Sequence, residues 1–334
     1  MTEVSAQAPP NDLAPEQLRL RPGADGVGVE LDPASAGWRH LSFRITQLGE
    51  GEHLALVGDS REHLVVTISG GGASVLASDG PVVRLDGRPS PFEALPWACY
   101  LPAGVGATVT GHTAAGSHAS ILAIADAPSS GRETADLPLR ITPADVRVEV
   151  RGAGTATRQV NHIVTPEFPA DRLLVVEVLT PGGNWSSWPP HKHDRDDMPH
   201  EAVLEEVYYY RMRRPEGWAL QRLYRRDGSR DAIWAVRDGE VVLVTDGYHP
   251  FAAAHGYDAY YLNALAGDRR TMACSDDPDL AWTRAAWARV APDRRVPLVP
   301  PASPDSASPS SVSPDSASAL SPVDGRDASG VPGS

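Results

Sequence analysis

Lysine is almost absent from this chain. Its 334 residues include 30 basic side chains, and all but Lys192 are arginine. Acidic residues number 43, for a formal net charge of −13 and an isoelectric point near 5.3. No basic block or stripe is visible, which excludes the electrostatic footprint that nucleic acid requires. Cysteine is scarce too. Cys99 and Cys274 stand far apart with no partner pattern, so a disulfide framework is excluded and reduced thiols in a cytoplasmic protein are expected. No apolar run approaches the length of a membrane span. The opening stretch, MTEVSAQAPPNDLAPE, has neither a positive start nor an apolar core, so no secretory signal is expected. Helical periodicity is missing almost everywhere; only 279–290, DLAWTRAAWARV, could make a helix.

What remains is a chain of short strands. From Trp38 to Ala127, apolar runs such as LSFRITQL, EHLVVTISG and ASILAIADA recur at roughly ten-residue spacing, punctuated by Gly and Asp. A polar connector follows over 128–140, then a second set including TRQVNHIV, RLLVVEVLT and AYYLNALAG. This pattern predicts an all-β protein of two barrels or jelly rolls with few helices. The expected organisation is a loop or edge segment over 1–36, a first barrel with connector over 37–140, a second barrel over 141–298, and a tail over 299–334. The tail is nearly all Ser, Pro, Ala, Asp and Gly, with SPDSAS occurring twice. Such a composition cannot offset ordering entropy by burial, and disorder is expected. The halves echo each other: Glu62-His63 running to Gly70 resembles Glu206-Val207 running to Gly217, which points to a duplication.

The stretch Asn184 to Tyr210 concentrates the chemistry. It carries His191-Lys192-His193, an acidic loop, and Glu205-Glu206 leading into Val207-Tyr208-Tyr209-Tyr210. Alternate side chains in a strand share a face, so His191 and His193 point together and Lys192 points away. Two imidazoles and a carboxylate suit a divalent ion. Glu205 and Glu206 face opposite sides, and either could be the ligand; Glu206 directly precedes the tyrosine strand and shares a face with Tyr208 and Tyr210. Asp246-Gly247-Tyr248-His249-Pro250 offers a fourth donor, His249. The first half has no His-x-His before Glu62, so one ion per chain is expected, held in the second barrel alone.

This order, His-x-His, a Glu opening a strand, then Gly-x-His, is the two-part signature of the cupin barrel. The blocks WSSWPPHKHD, LEEVYYY, ALQRLY, DGYHP and GYDAYYLNALAG, together with RPSPFEALPWACYLP in the first half, resemble the 5-deoxy-glucuronate isomerase family of myo-inositol catabolism. That family is related to the 4-deoxy-L-threo-5-hexosulose-uronate ketol-isomerases of pectin breakdown. The resemblance covers roughly residues 38–298. It implies a two-domain cupin with a metal in one barrel, and as its ligands His191, His193, Glu206 and His249. It further implies an aldose–ketose isomerisation of a sugar acid through an enediolate, with Zn or Mn as the ion. Related alternatives are 5-keto-4-deoxyuronate as substrate, a cupin dioxygenase using the same four ligands, and a sugar-binding cupin without catalysis.

Isomerisation needs a base. Glu177, alone in the apolar run Leu173–Leu179, would serve if it faces the barrel interior, and would be structural if paired with an arginine. Tyr210 is a second candidate for the proton relay. Arg158 and Arg222 are candidates for the substrate carboxylate, where a bidentate guanidinium fits. Tyr224 is a candidate hydrogen-bond donor. Lys192 could reach substrate only around a strand edge, or could serve a subunit contact in a homo-oligomer.

Overall fold

The computed structural model describes residues 13–23, 27–78, 80–113 and 119–302. Within them, regular structure is β apart from a 3-10 turn at Pro33–Ala36 and one helix, Trp282–Trp287. The helix falls inside the 279–290 stretch read from sequence but is half its length.

The first barrel is built on one long strand, Arg61–Ala77. Its first half pairs with Ala98–Leu101 and Ser120–Pro128, and its second half with Val82–Arg88 and Ala107–Gly111. The strand thus folds the sheet over on itself. Gly72 sits at the fold with φ 93°, and a Cβ there would lie 2.2 Å from the Leu85 carbonyl oxygen, so no other residue fits. The interior is built mainly of apolar side chains, with Val65, Val75, Leu101, Val109, Leu122 and Ile124 among its members.

The second barrel packs a seven-stranded sheet against a four-stranded one. Leu174–Thr180 and Ala259–Ala266 are buried at every position. Their sheet is covered on both faces, by the second barrel's interior on one and by the first barrel on the other. The four-stranded sheet faces solvent on its outer side, and Asp231–Arg237 alternates exposed and buried accordingly. Segments cross between the halves. Arg19–Leu20 adds an edge strand to the second barrel, opposite Val241 and Val242. Leu139–Ile141, from the connector, adds one to the first, opposite Ala98–Tyr100.

Two carboxylates hold the barrels together in matching ways. Glu62 accepts hydrogen bonds from the backbone N–H groups of Asp171, Arg172 and Leu173 at 2.7, 2.6 and 2.8 Å. Glu205 accepts them from Arg39, His40 and Leu41 at 2.7, 2.9 and 2.8 Å. The registers also match: Glu62 lies opposite Ala127, one step beyond the Ser42–Asp126 pair, and Glu205 opposite Ala266, one step beyond the Leu174–Leu265 pair. Glu62 therefore corresponds to Glu205, one residue away from the alignment drawn on sequence, and His63 corresponds to Glu206. Replacing Glu205 or Glu62 by glutamine sets an amide N–H among backbone donors. Each variant should lose about 1–3 kcal/mol, the cost of unsatisfied buried donors. Urea unfolding measures it, and an unchanged midpoint for both would show that the clamps carry no load.

The expected tail begins too early. Val299 is buried, donates its N–H to Gln159 Oε1 at 3.0 Å and accepts from Gln159 Nε2 at 2.8 Å. Residues 299–302 therefore belong to the folded body, because the Val299 backbone meets both groups of the buried Gln159 amide. The rest of the expected tail, like residues 1–12, lies outside the described residues.

Candidate metal centre

His191 stands on a short strand, His191–Lys192, held by backbone pairing, His191 facing Asp276 and Lys192 facing Ser275, and His193 follows directly. Glu206 is the second residue of Glu205–Met212, and its neighbour Glu205 is tied to the first barrel as described. His249 sits on a turn whose Gly247 has φ 79°, and a Cβ there would come within 2.6 Å of the Tyr224 carbonyl oxygen. The glycine thus lets the turn approach the neighbouring strand and carry His249 inward. Lys192 pairs with Asp194 at 2.5 Å and with Glu201 at 2.7 Å, and the second oxygen of Asp194 accepts the Gly247 N–H at 2.8 Å. One ion-pair cluster therefore braces the His-x-His strand against the His249 turn.

The donor atoms of His193, Glu206 and His249 lie within 4.8 Å of one another, all three residues buried. The His191 ring completes the group, its centroid 4.7 Å from that of His249 and 6.5 Å from that of His193. Each imidazole is oriented from behind. Nδ1 of His193 meets the Leu204 carbonyl at 3.0 Å, Nδ1 of His249 the Gly247 carbonyl at 3.0 Å, and Nδ1 of His191 the Pro189 carbonyl at 3.3 Å. A carbonyl can only accept, so each Nδ1 carries the proton and each Nε2 keeps its lone pair. Those Nε2 atoms turn towards a carboxylate. His249 Nε2 is 3.3 Å from Glu206 Oε2 yet has no hydrogen bond, and His193 Nε2 is 2.9 Å from the same oxygen. Lone pairs crowded on a buried anion repel unless a cation or a proton lies between them. The donor set and its orphaned Nε2 therefore fit a divalent metal ion.

Electrostatics agree. Burial pushes His191 and His249 down to about 3, helped in each case by a neighbouring imidazole, so both are neutral at ordinary pH. Burial also opposes a proton on His193, but the Glu206 carboxylate outweighs it and raises that group. The wall beside the donors is aromatic and hydroxylic. The Tyr208 ring lies 5.9 Å from that of His249, and its hydroxyl is 2.8 Å from Ser187 Oγ, which is 3.3 Å from the Tyr261 hydroxyl.

Residues 17–283 match the model of the KduI/IolB family. The chain belongs to that family. It is 40% identical over 262 residues to a 5-deoxy-glucuronate isomerase of Geobacillus kaustophilus, a span covering 78% of this chain and 92% of that protein. A protein of the same name from Listeria innocua is 34% identical over 272 residues, with 80% and 96% covered. Among solved structures, an IolB-like protein of Salmonella typhimurium superposes with a TM-score of 0.75 at 39% identity, covering 80% of this chain and 99% of that one. An oxalate decarboxylase of Lactobacillus farciminis gives a TM-score of 0.55 at 12% identity over 78% and 88%. At that identity the likeness speaks for the two-barrel cupin fold alone.

Against this KduI/IolB frame the other sequence candidates divide. Arg158 faces the centre. It is buried, and its guanidinium donates to the Ala156 carbonyl at 3.1 Å and stacks on Trp287, 5.5 Å from the ring centroid. Among the described residues no carboxylate forms an ion pair with it, and burial lowers it to about 10. Tyr210 donates to Gln221 Oε1 at 2.9 Å, and Gln221 Nε2 donates to the His249 carbonyl at 3.0 Å, so Tyr210 supports a donor instead of meeting substrate.

Three expectations need correcting. Glu177 is not placed as a base: it forms a wholly buried ion pair with Arg88 of the first barrel and accepts from Tyr260 at 2.7 Å. Its pairing partners are Asn161 and Leu262, so it shares the face turned to the first barrel, opposite to Tyr208 and Tyr261. Arg222 lies on the outer face of the four-stranded sheet, doubly bonded to Asp231 at 2.7 and 2.9 Å. Tyr224 shares that outward parity, its hydroxyl donating to Asp277 and its ring stacked 5.3 Å from Tyr248. Residues that the sequence reading missed are Ser187, Gln221, Tyr261 and Trp287. Ser187 lies within the block WSSWPPHKHD, and its φ of 47° is the left-handed value of a tight turn.

Proposed function

We propose that this chain converts 5-deoxy-D-glucuronate to 5-dehydro-2-deoxy-D-gluconate. The observation that carries the proposal is the extent of the similarity: the matched span, residues 17–283, contains all four donors, His191, His193, Glu206 and His249. We read residues 37–140 as a scaffold barrel and 141–298 as the barrel that works. The donor set suits one Zn or Mn ion, which when bound polarises the aldehyde oxygen and the neighbouring hydroxyl. Arg158 supplies the cation for the substrate carboxylate, since a buried guanidinium without a counter-ion is incomplete until an anion arrives. Tyr208 supplies an O–H donor, because burial raises its pKa well above the usual tyrosine value and keeps it protonated. The buried aromatic wall of Tyr208 and Tyr261 limits the access of bulk water, so a proton taken from the carbon beside the aldehyde can be returned to its neighbour.

The purified protein should isomerise 5-deoxy-D-glucuronate, lose the activity to a chelator, and regain it with a divalent ion. Where the proton exchanges with solvent before its return, deuterium should enter the product at the former aldehyde carbon, which receives it. Turnover of 5-keto-4-deoxyuronate in its place would move the substrate assignment to the sister activity, and oxygen consumption would move the chemistry to a dioxygenase. Arg158→Gln should raise KM about tenfold to a hundredfold, the scale of a lost charge-assisted pair. An unchanged KM would remove Arg158 from the substrate.

A further inference from the structure

After its last core strand, Ala259–Ala266, the chain returns across the mouth of the second barrel. It is tied at both ends of this path. At the near end, Ser275–Asp276 pairs with His191–Lys192, and the Asp277 N–H donates to the Pro190 carbonyl at 2.8 Å. At the far end, the Ala291 carbonyl accepts from Gly154 at 2.9 Å, Asp293 accepts from Asn184 at 3.0 Å, and the Asp293 N–H donates to Thr157 at 2.9 Å. Between the ties lies the helix Trp282–Trp287, and none of its residues is buried. Six residues without a buried face cannot hold a helix in place by packing. It is held where it is by its anchors and by what it touches.

What it touches is Arg158. The Trp287 ring carries two guanidiniums, Arg158 at 5.5 Å and Arg284 at 5.6 Å from its centroid. Arg284 is already satisfied by Asp276, at 2.5 and 2.7 Å. Among the described residues, the Arg158 guanidinium meets the Ala156 carbonyl and the indole and no carboxylate. Asp276, the partner of Arg284, stands opposite His191 in the strand pair, so the two cations on the Trp287 ring border the metal centre. An indole face engages a guanidinium through its flat side and leaves the N–H edge free.

We propose that Trp287 is the positioning residue of an anion subsite: its indole holds the Arg158 guanidinium by the face, so that the free edge is presented to a carboxylate bound beside the metal centre. The ligand class is a small polyhydroxy carboxylate, and the returning segment 275–293 is its cover. This rests on the isomerase reading only for the reacting sugar acid. The subsite itself is defined for any such anion.

Two measurements separate the cases. In turnover with 5-deoxy-D-glucuronate, Trp287→Ala should raise KM about tenfold, the scale of a desolvated cation–π contact, with kcat within about threefold. Trp287→Phe, which keeps a ring face, should recover most of the loss. In calorimetry on the metal-loaded protein, the unreactive probe D-gluconate should bind more tightly than its neutral counterpart sorbitol. Trp287→Ala should abolish that preference and Trp287→Phe keep it. A melting temperature unchanged in both variants is expected, since Trp287 is not buried. If Trp287→Ala leaves both KM and the gluconate preference intact, the proposal is overturned while the isomerase reading stands. If the wild type turns over no sugar acid yet shows the gluconate preference and loses it in Trp287→Ala, the subsite stands and the isomerase reading falls. Should Trp287→Ala unfold, the Phe variant decides, because loss of the preference there rules out a face-on role for the ring.

Discussion

Replacing His249 by alanine should empty the metal centre. The wild-type chain should carry about one divalent ion, since the candidate donors gather in one cluster among the described residues. Removing a direct donor should weaken binding by more than the roughly 10–100-fold typical of changes one shell further out. Elemental analysis after dialysis and a competitive chelator titration read this directly, without reference to turnover. Glu206→Gln should behave in the same way, because the amide loses the charge that balances the cation. Glu205→Gln should keep its ion while losing stability, since its carboxylate faces the backbone of residues 39–41. Full occupancy in Glu206→Gln together with loss in Glu205→Gln would put the strand register out by one residue. Two ions per chain would demand a second centre.

Breaking the Arg88–Glu177 pair should be the most damaging single change away from the centre. Both side chains are fully buried, and the bond joins the two barrels. Arg88 also donates to the Ile68 and Ala94 carbonyls, each at 3.0 Å. Glu177→Ala leaves a guanidinium buried without its partner, which costs about 3–5 kcal/mol. The double change Arg88→Met with Glu177→Leu should recover much of that, because it removes both charges at once. Chemical unfolding of the singles and the double measures the coupling. A Glu177→Gln protein with wild-type stability and no turnover would return Glu177 to the reaction as its base.

These two groups show what the sequence reveals and what it hides. The clustering of the candidate donors was legible because each lies in a local pattern: His191 and His193 are two apart, Glu206 opens a strand, and His249 follows a glycine that shapes its turn. Two barrels were legible from strand spacing and punctuation. Which way a side chain faces was harder. Leu174–Thr180 is buried at every position, so its residues show no alternation from which to read that Glu177 faces the other barrel. Arg222 and Tyr224 sit on a strand that does alternate, but alternation says only that they share a face, not which face is outside. Arg158 was visible as a strand arginine, while its lack of a counter-ion is a property of the packed molecule. Trp287 belonged to the only helical pattern in the chain, and nothing local joined it to Arg158 across more than a hundred residues.

The edge strand Arg19–Leu20 has a consequence for synthesis on the ribosome. Its partner strand begins at Val241, about 220 residues later. At about 5–20 residues per second, that partner emerges some ten to forty seconds after the edge strand does. For all that time Leu18, fully buried in the finished molecule, has no place to go. Glu62 waits too, for the N–H groups of residues 171–173. The first barrel can collapse early around its own apolar interior, but it cannot lock until the second arrives. The nascent chain is therefore most exposed to chaperones and proteases at its N-terminal end, and a stop in translation before Val241 leaves a product that can close neither barrel's shared surface.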